Sequence, residues 1–383
     1  MMELRKFVAP EFIFGAGAMQ LVGRYLHNFG ARRALLVTDP GLIEAGWASK
    51  TLGLLDSEEI DSAVFSSVSA NPRDSEVMAG AALYQSEGCD VIVAVGGGSP
   101  MDCAKGIGIV CTNRQHILDM EGIDKVAIPG PPLVCIPTTA GTSADVSQFA
   151  IINHTADRRK IAIISKTMVP DVALIDPLTT VTMSPYLTAC TGMDALVHAV
   201  EAYVSTANSP LLDLHALEAV RLVCNNLPKV LTRPDDLELR NNMTLASLQA
   251  GLAFSNASLG AVHAMAHSLG GLLDLPHGEC NALLLQHVVN FNFPEAAGRY
   301  VKIGEAMGLP LEGLPALAAR KAIVAHIDEL KRQVGITKPL SQQGATTADI
   351  PALAEKALRD PCMVTNPRNP TRRDIEVIYE EAL

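Results

Sequence analysis

The sequence lacks any apolar run as long as the roughly 18 to 20 residues that a membrane-spanning helix needs. Its first residues, MMELRKFVAPEF, contain no apolar core of a secretion signal, so the sequence predicts a cytoplasmic protein. The sequence has fewer basic than acidic residues: 30 Lys and Arg against 41 Asp and Glu, which gives a net charge of -11. Such a chain repels phosphate backbones and anionic lipid, so neither nucleic acid nor a membrane surface is an expected partner.

The eight cysteines show no Cys-x-x-Cys spacing. Several stand inside apolar strings such as LVCIP (133–137) and RLVCNN (221–226). Buried free thiols in a reducing compartment account for this distribution better than disulfides or a thiolate zinc site.

Hydrophobic residues form 48% of the chain and charged residues 19%, which excludes a disordered or fibrous protein. The 383 residues exceed what a single core usually holds, so two domains are expected. Over residues 1–180, short β-branched runs such as VIVAV (91–95) alternate with amphipathic stretches, and this predicts an α/β domain with a parallel, Rossmann-like sheet. Over residues 181–383 the pattern becomes helical, with Leu and Val recurring every three or four residues in 209–231. We therefore predict an all-α C-terminal domain.

A glycine triplet, Gly96 to Gly98, follows the strand VIVAV directly and leads through Ser99 into an amphipathic helical pattern. Bare N–H groups and the positive end of a helix together suit a phosphate. The spacing matches neither of the two standard nucleotide fingerprints, so a tight turn that binds nothing is the alternative.

Hydroxyl groups follow a second predicted strand, in PTTAGTSAD (137–145), where Thr138, Thr139 and Thr142 surround a glycine. Ligands of parallel sheets bind at this carboxyl edge, although a solvated polar turn has the same composition. Asp39 ends another strand, ALLVTD. Its carboxylate suits an adenosine ribose and repels a 2′-phosphate, whereas a plain strand-end aspartate caps a turn.

Asp194 and His198 stand four residues apart in a helical pattern and therefore share one helix face. His263 and His267 have the same spacing, and His277 follows them closely. One such pair is commonly a structural hydrogen bond, but two pairs with a third nearby histidine favour a zinc or ferrous iron site. Spacing alone leaves open which three imidazoles bind the metal.

These motifs occur in an order that resembles the iron-containing (group III) alcohol dehydrogenase family, including its lactaldehyde reductase and fermentative ethanol dehydrogenase members. The resemblance spans nearly the whole chain and is carried by GGGSPMDCAK (96–105), PTTAGTSAD (137–145), GMDALVHAVEAY (192–203), GAVHAMAHSLGG (260–271), LPHGECNALLL (275–285) and DPCMVTNPR (360–368).

The resemblance implies a dehydroquinate synthase-like fold, with NAD(H) and one divalent metal, iron or alternatively zinc, in the cleft between the two domains. It implies a substrate-pocket aromatic at Phe254 and leaves His267 beside the nicotinamide and substrate. The implied metal ligands are Asp194, His198, His263 and His277. The implied cofactor-binding residues are Asp39, which favours NAD over NADP, Gly97, Gly98, Ser99, Asp102, Thr138, Thr139, Thr142, Phe149, Lys160 and Leu178.

The predicted function is a metal-dependent NAD(H) oxidoreductase that interconverts a small primary alcohol or diol and its aldehyde by hydride transfer. The metal polarises the substrate oxygen, and an unligated His267 shuttles the proton. The expected assembly is a homodimer or a higher homo-oligomer. Two rival functions remain. A metal-dependent hydrolase or lyase would leave the glycine and threonine loops unused, and a non-catalytic nucleotide-binding protein would leave the ligand cluster unused.

Overall fold

The structure is a computed structural model that describes residues 6–157 and 159–383. Its contacts divide the chain into two units, which we call the α/β unit (Val8–Met183) and the helical unit (Ser184–Leu383, to which Lys6 and Phe7 also belong). None of the helices in the described ranges has the length and apolar character that crossing a bilayer requires. All eight cysteines lie in these ranges as free thiols, and six of them are buried.

The α/β unit alternates strands and helices along the chain. Its described strands are β1 (Glu11–Phe14), β2 (Arg33–Val37), β3 (Asp61–Phe65), β4 (Val91–Gly96), β5 (Gly122–Ile123), β6 (Leu133–Pro137), β7 (Phe149–His154), β8 (Arg159–Ile164) and β9 (Val172–Ile175). Its described α-helices are α1 (Val22–Asn28), α2 (Pro40–Glu44), α3 (Trp47–Ser57), α4 (Asp74–Glu87) and α5 (Gly98–Asn113).

Six of these strands form one parallel sheet in the spatial order β1-β9-β6-β4-β2-β3. Strand β2 connects to β3 on one side, and its neighbour β4 connects to β6 on the other side. The chain therefore reverses its winding between β2 and β4, and such a switch point opens a crevice at the carboxyl ends of the strands. The predicted parallel α/β fold is confirmed. A second sheet, β5-β8-β7, contains the antiparallel hairpin β7–β8.

The central strand β4 is buried on both faces, which explains its unbroken apolar sequence. Ile92 belongs to a core with Met101 and Ile107 of α5, on one face of the sheet. Val93 belongs to a second core with Leu26 of α1, on the other face. Helices thus exclude water from both sides of the strand that leads into the glycine triplet.

The helical unit consists of α6 (Pro185–Val204), α7 (Pro210–Thr232), α8 (Leu237–Ala257), α9 (Ala261–Leu273), α10 (His277–Asn292), α11 (Ala297–Ala306), α12 (Ala316–Gln333), α13 (Ile350–Leu358) and α14 (Arg372–Ala382), joined by loops and short helical turns. This all-helical architecture was predicted from the periodicity and is confirmed.

Helix α6 is the centre of the helical unit, because it packs against α7, α8 and α10. Ser184 caps its first turn by accepting the Leu187 N–H, and Pro185 supplies a preset helical φ angle. Every residue from Thr188 to Val204 is buried. Polar side chains on this helix therefore require partners inside the protein, and these partners define the candidate site.

Candidate functional site

The glycine and threonine loops begin side by side at the carboxyl edge of the parallel sheet. Gly96 of β4 pairs in register with Pro137 of β6, so each loop leaves the sheet at the same level. A Cβ added to Gly97 would lie 3.0 Å from Thr139 Cγ2, and one added to Gly98 would lie 3.1 Å from Thr142 Cγ2. The glycines therefore let the two loops approach closely, and a side chain at either position would require a threonine side chain to shift.

Unsatisfied polar groups collect at this edge. Helix α5 begins at Gly98 without a side-chain cap, so no capping side chain accepts the N–H groups of its first turn. The Oγ1 atoms of Thr38 and Thr139 are buried and have no hydrogen-bond partner within the described part of the chain. Buried hydroxyls of this kind call for an external partner, and uncapped helix N–H groups suit an anion.

Asp39 is the N-cap of the short helix α2. Its carboxylate accepts the Leu42 N–H at 3.0 Å, and Pro40 follows as the first helical residue. Burial raises the pKa of Asp39. The capping role considered from the sequence is therefore present, and the residue also lies at the switch point beside β4.

The other predicted cofactor residues lie on α5, after β6, on the hairpin and after β9. Ser99 Oγ donates to Ala70 O at 2.5 Å, and Asp102 Oδ2 accepts the Ile151 N–H at 3.0 Å. Lys160 Nζ donates to Asn71 Oδ1 at 2.8 Å. Thr138 follows β6, Phe149 begins β7, and Leu178 lies in the helical turn Pro177–Thr180 after β9.

Lys105 joins this group, although the sequence did not single it out. Its ammonium is buried and donates to Phe149 O at 2.7 Å and to Ser147 O at 3.0 Å. Burial lowers its pKa. Asp102 lies one turn earlier on α5. Through these hydrogen bonds, both side chains link α5, the helix after the glycine triplet, to the start of the hairpin β7–β8.

In the helical unit, Asp194 of α6, His263 of α9 and His277 of α10 converge. Their ligand atoms lie within 4.8 Å of one another. Asp194 Oδ1 is 3.9 Å from both His263 Nε2 and His277 Nε2. His198 borders this group, because its ring stacks on His263 at 4.7 Å and on Phe254 at 4.2 Å between centroids.

The donor atoms fit a divalent metal ion. Asn281 Nδ2 lies 2.6 Å from Asp194 Oδ1 and 3.1 Å from each of His263 Nε2 and His277 Nε2. An amide nitrogen has only two hydrogens to offer these three acceptors, so the acceptor set exceeds what this group can satisfy. Burial lowers the pKa of His263 well below its ordinary value, which keeps the imidazole neutral as a ligand must be. A carboxylate with imidazoles is a ligand set for zinc or ferrous iron.

Glu201, a residue that the sequence analysis missed, is buried beside His263. His263 Nδ1 lies 2.7 Å from Glu201 Oε2. Burial raises the pKa of Glu201 to about 7, although backbone N–H groups that donate to it act in the opposite direction. The available signal was its position, three residues after His198 and seven after Asp194, which places all three side chains on one face of α6.

His267 is held by Asp360, which was also missed. Its Nδ1 lies 2.8 Å from Asp360 Oδ2, and its ring stacks on that of His277 at 5.2 Å between centroids. Burial acts to raise the pKa of Asp360, yet the pKa is lowered because His267 and the Cys362 N–H stabilise the carboxylate. Cys362 lies close enough to form a second ligand group with His267 and Asp360, but burial raises the pKa of its thiol well above the ordinary value.

Two family models together cover nearly the whole chain. The model described as Iron-containing alcohol dehydrogenase matches residues 9–177, and the model described as Fe-containing alcohol dehydrogenase family, C-terminal, matches residues 188–383. The chain therefore belongs to the iron-containing alcohol dehydrogenase family and is an oxidoreductase of that family. The family resemblance of the sequence motifs is thus confirmed.

Named relatives are similar over almost their full lengths. The chain is 43% identical over 371 residues to 1,3-propanediol dehydrogenase of Klebsiella pneumoniae, covering 96% of each protein. It is 37% identical over 377 residues to NAD-dependent methanol dehydrogenase of Bacillus methanolicus, covering 98% of this chain and 99% of the relative. A crystal structure of 1,3-propanediol oxidoreductase superposes with a TM-score of 0.96 at 41% identity, and each chain is fully covered.

Proposed function

We propose that this protein catalyses the reversible, NAD(H)-dependent oxidation of a small primary alcohol or diol to its aldehyde, with one divalent metal held by Asp194, His198, His263 and His277. The observation that carries the proposal is the convergence of Asp194 Oδ1, His263 Nε2 and His277 Nε2 within 4.8 Å. Relatives named as 1,3-propanediol dehydrogenase, NAD-dependent methanol dehydrogenase and lactaldehyde reductase support the substrate class.

The ligand set supports iron, the metal of the family name, and accepts zinc as an alternative. When bound, such an ion supplies a Lewis acid that lowers the pKa of an alcohol and polarises an aldehyde carbonyl. The chain's own residues orient the reactants. Phe254, stacked on His198, supplies an apolar wall against which a short carbon chain packs.

The cofactor is held at the carboxyl edge of the parallel sheet. The N–H groups of Gly97, Gly98 and Ser99 take the pyrophosphate, because the first turn of α5 is uncapped. Asp39 accepts hydrogen bonds from the adenosine ribose and repels a 2′-phosphate. The remaining contacts come from Asp102, Thr138, Thr139, Thr142, Phe149, Lys160 and Leu178.

His267 moves the proton of the alcohol hydroxyl. Since its Nδ1 hydrogen bonds to Asp360, the other ring nitrogen, Nε2, is the atom that accepts and releases this proton. Removing this side chain with His267→Ala should preserve metal binding and reduce the turnover rate. Loss of metal equal to that of His263→Ala would show instead that His267 is a ligand.

We further propose a cytoplasmic homo-oligomer, a dimer or larger. Eight free thiols support a reducing compartment, and the exposed Leu211 and Leu214 of α7 support an apolar subunit contact. Light scattering on the purified protein tests the assembly, and a monomer at micromolar concentration would contradict it.

The central experiment loads the protein with Fe²⁺ or Zn²⁺, adds NAD⁺ and ethanol, 1,2-propanediol or 1,3-propanediol, and follows NADH absorbance. We expect metal-dependent NADH formation with at least one alcohol, and loss of both the metal and the activity in His277→Ala. A metal-loaded protein that forms no NADH but hydrolyses or cleaves substrates would favour the hydrolase or lyase alternative. Nucleotide binding without turnover would favour a non-catalytic protein.

A further inference from the structure

The Glu201 carboxylate collects four N–H donors from one short segment. Oε1 accepts the Val262 N–H at 2.7 Å. Oε2 accepts the N–H of Gly260 at 3.0 Å, the N–H of His263 at 3.3 Å and the His263 Nδ1 hydrogen at 2.7 Å. With 3% exposure, Glu201 has these bonds in place of hydration.

Three of these bonds cap helix α9 from another helix. The first N–H groups of a helix have no partners within it, and the N-cap residue Gly260 has no side chain to provide one. Asn366 Oδ1 complements the cap by accepting the Ala261 N–H at 3.0 Å. The packing is tight, since a Cβ on Gly260 would lie 2.9 Å from both Glu201 Oε1 and Asn366 Oδ1.

The fourth bond selects the tautomer of His263. When Nδ1 carries the hydrogen and donates it to Glu201, the lone pair is on Nε2, the atom that lies 3.9 Å from Asp194 Oδ1. The same oxygen, Oε2, accepts the backbone N–H of His263, so ring and backbone are anchored to one point and the ring orientation is fixed.

We propose that Glu201 is a positioning residue that sets the metal affinity of this enzyme by holding His263 with Nε2 unprotonated and aimed at the metal. This inference rests on the proposed function in one respect, namely that the helical unit holds a divalent metal. Helix α6 then supplies both a ligand, Asp194, and the group that orients a ligand on α9.

The decisive variant is Glu201→Gln. A glutamine has one oxygen in place of two, so it cannot accept all four donors, and a neutral amide oxygen holds the His263 Nδ1 hydrogen more weakly than a carboxylate does. The tautomer that leaves the Nε2 lone pair for the metal is then less favoured. We expect Zn²⁺ affinity, measured by chelator competition without substrate or cofactor, to fall about 10- to 100-fold. Glu201→Asp, which retains the charge, should recover part of the loss.

The matched control is Asn366→Ala. It removes the acceptor of the Ala261 N–H and so weakens the cap of α9, but it leaves the Glu201–His263 bond in place. We expect lower thermal stability with Zn²⁺ affinity within about threefold of wild type, because the ligand tautomer is unchanged. An equal loss of affinity in both variants would mean that Glu201 acts only as a helix cap, and would overturn the inference.

A second measurement needs no variant. Nitrogen-15 spectra of histidine side chains in the metal-free wild type should show the His263 hydrogen on Nδ1, and a hydrogen on Nε2 would overturn the inference even if Glu201→Gln fails to fold. The two proposals fail separately. A wild-type protein that binds no Zn²⁺ contradicts the proposed function, whereas wild-type affinity in Glu201→Gln contradicts only the role of Glu201.

Discussion

The two units build their candidate sites from different parts of the chain. In the α/β unit the candidate ligand-binding groups are backbone N–H groups and short hydroxyls, placed in loops just after parallel strands. In the helical unit they are charged and aromatic side chains in the interior of long helices, held by the buried carboxylate of Glu201 and the partly exposed carboxylate of Asp360. A site made of backbone depends on where its loops leave the sheet, and a site made of side chains depends on the residue that lies behind each ligand.

The two units also differ in how much space surrounds their glycines. A Cβ on Gly98 would meet the side chain of Thr142, which can turn away, at 3.1 Å. A Cβ on Gly278 would lie 2.2 Å from the backbone oxygen of Cys190, which helix α6 holds in place. The loops of the α/β unit therefore have room to adjust, whereas the contact between α6 and α10 has none.

The largest effect that would test this contrast is expected from Gly278→Ala. The added methyl group must push α10 away from α6, and with it His277 away from Asp194. We expect a loss of about 3 kcal/mol in unfolding free energy and loss of most bound metal. Urea unfolding and metal content per chain measure the two effects.

Gly298→Ala is the control, because a Cβ at Gly298 of α11 meets no atom within 4 Å. This substitution should stabilise the protein by about 0.5 to 1 kcal/mol, as is usual for Gly to Ala in a helix. If Gly278→Ala unfolds at the same urea concentration as Gly298→Ala, the helical unit is not rigid at this contact.

A smaller effect should come from Asp145, at the end of the threonine loop. Burial raises the pKa of Asp145 to about 6, although Lys105 acts to lower it. The folded protein therefore holds this proton more tightly than the unfolded chain, so the contribution of Asp145 to stability is greatest at low pH and is lost as pH rises from about 4 to about 6. The loss at neutral pH is up to about 3 kcal/mol.

Asp145→Asn should remove this pH dependence. The stability of the variant minus that of wild type should be larger at pH 7 than at pH 4, as measured by urea unfolding of both proteins without metal. A constant difference at the two pH values would contradict the prediction. A confirmed result would show that the stability of the α/β unit depends on the charge of a side chain buried at the end of the threonine loop, and not only on the backbone of its loops.

The smallest effect on stability is expected from Asp39→Asn. Asparagine keeps an oxygen for the Leu42 N–H and so preserves the cap of α2, while the charge that repels a 2′-phosphate is lost. Two like charges at close range cost on the order of 1 to 4 kcal/mol. We therefore expect the ratio of kcat/KM for NADP to that for NAD to rise about tenfold or more, with little change in thermal stability. An unchanged ratio would mean that Asp39 is only a helix cap.

The sequence predicted features that depend on local periodicity. VIVAV is apolar throughout because β4 is buried on both faces, and Asp194 and His198 share a helix face because they are four residues apart. The register of Gly96 with Pro137 depends on contacts between distant segments, so no local pattern contains it. The hairpin β7–β8 was missed in the sequence FAIINHTADRRKIAII, which lacks a short glycine turn.

Within the candidate site, spacing identified the histidines but not their partners. Asp360 begins the motif DPCMVTNPR, and Asn281 follows His277 by one helical turn. Only the packing of distant helices shows which atoms these two side chains face. The residues that orient ligands therefore remained hidden, because hydrogen-bond geometry is a property of the folded chain. The metal ligands and cofactor contacts stay predictions that the variants above test.

The free thiols have a practical consequence for following how the protein opens. Burial raises the pKa of Cys111 to about 11 and those of Cys190 and Cys224 to about 12. Since the thiolate is the reactive form, these cysteines should react with an alkylating agent at neutral pH much more slowly than an ordinary cysteine. Alkylation then proceeds mainly through transient opening of the structure. Mass spectrometry of each labelled cysteine therefore reports the rate of local unfolding around it, in both units.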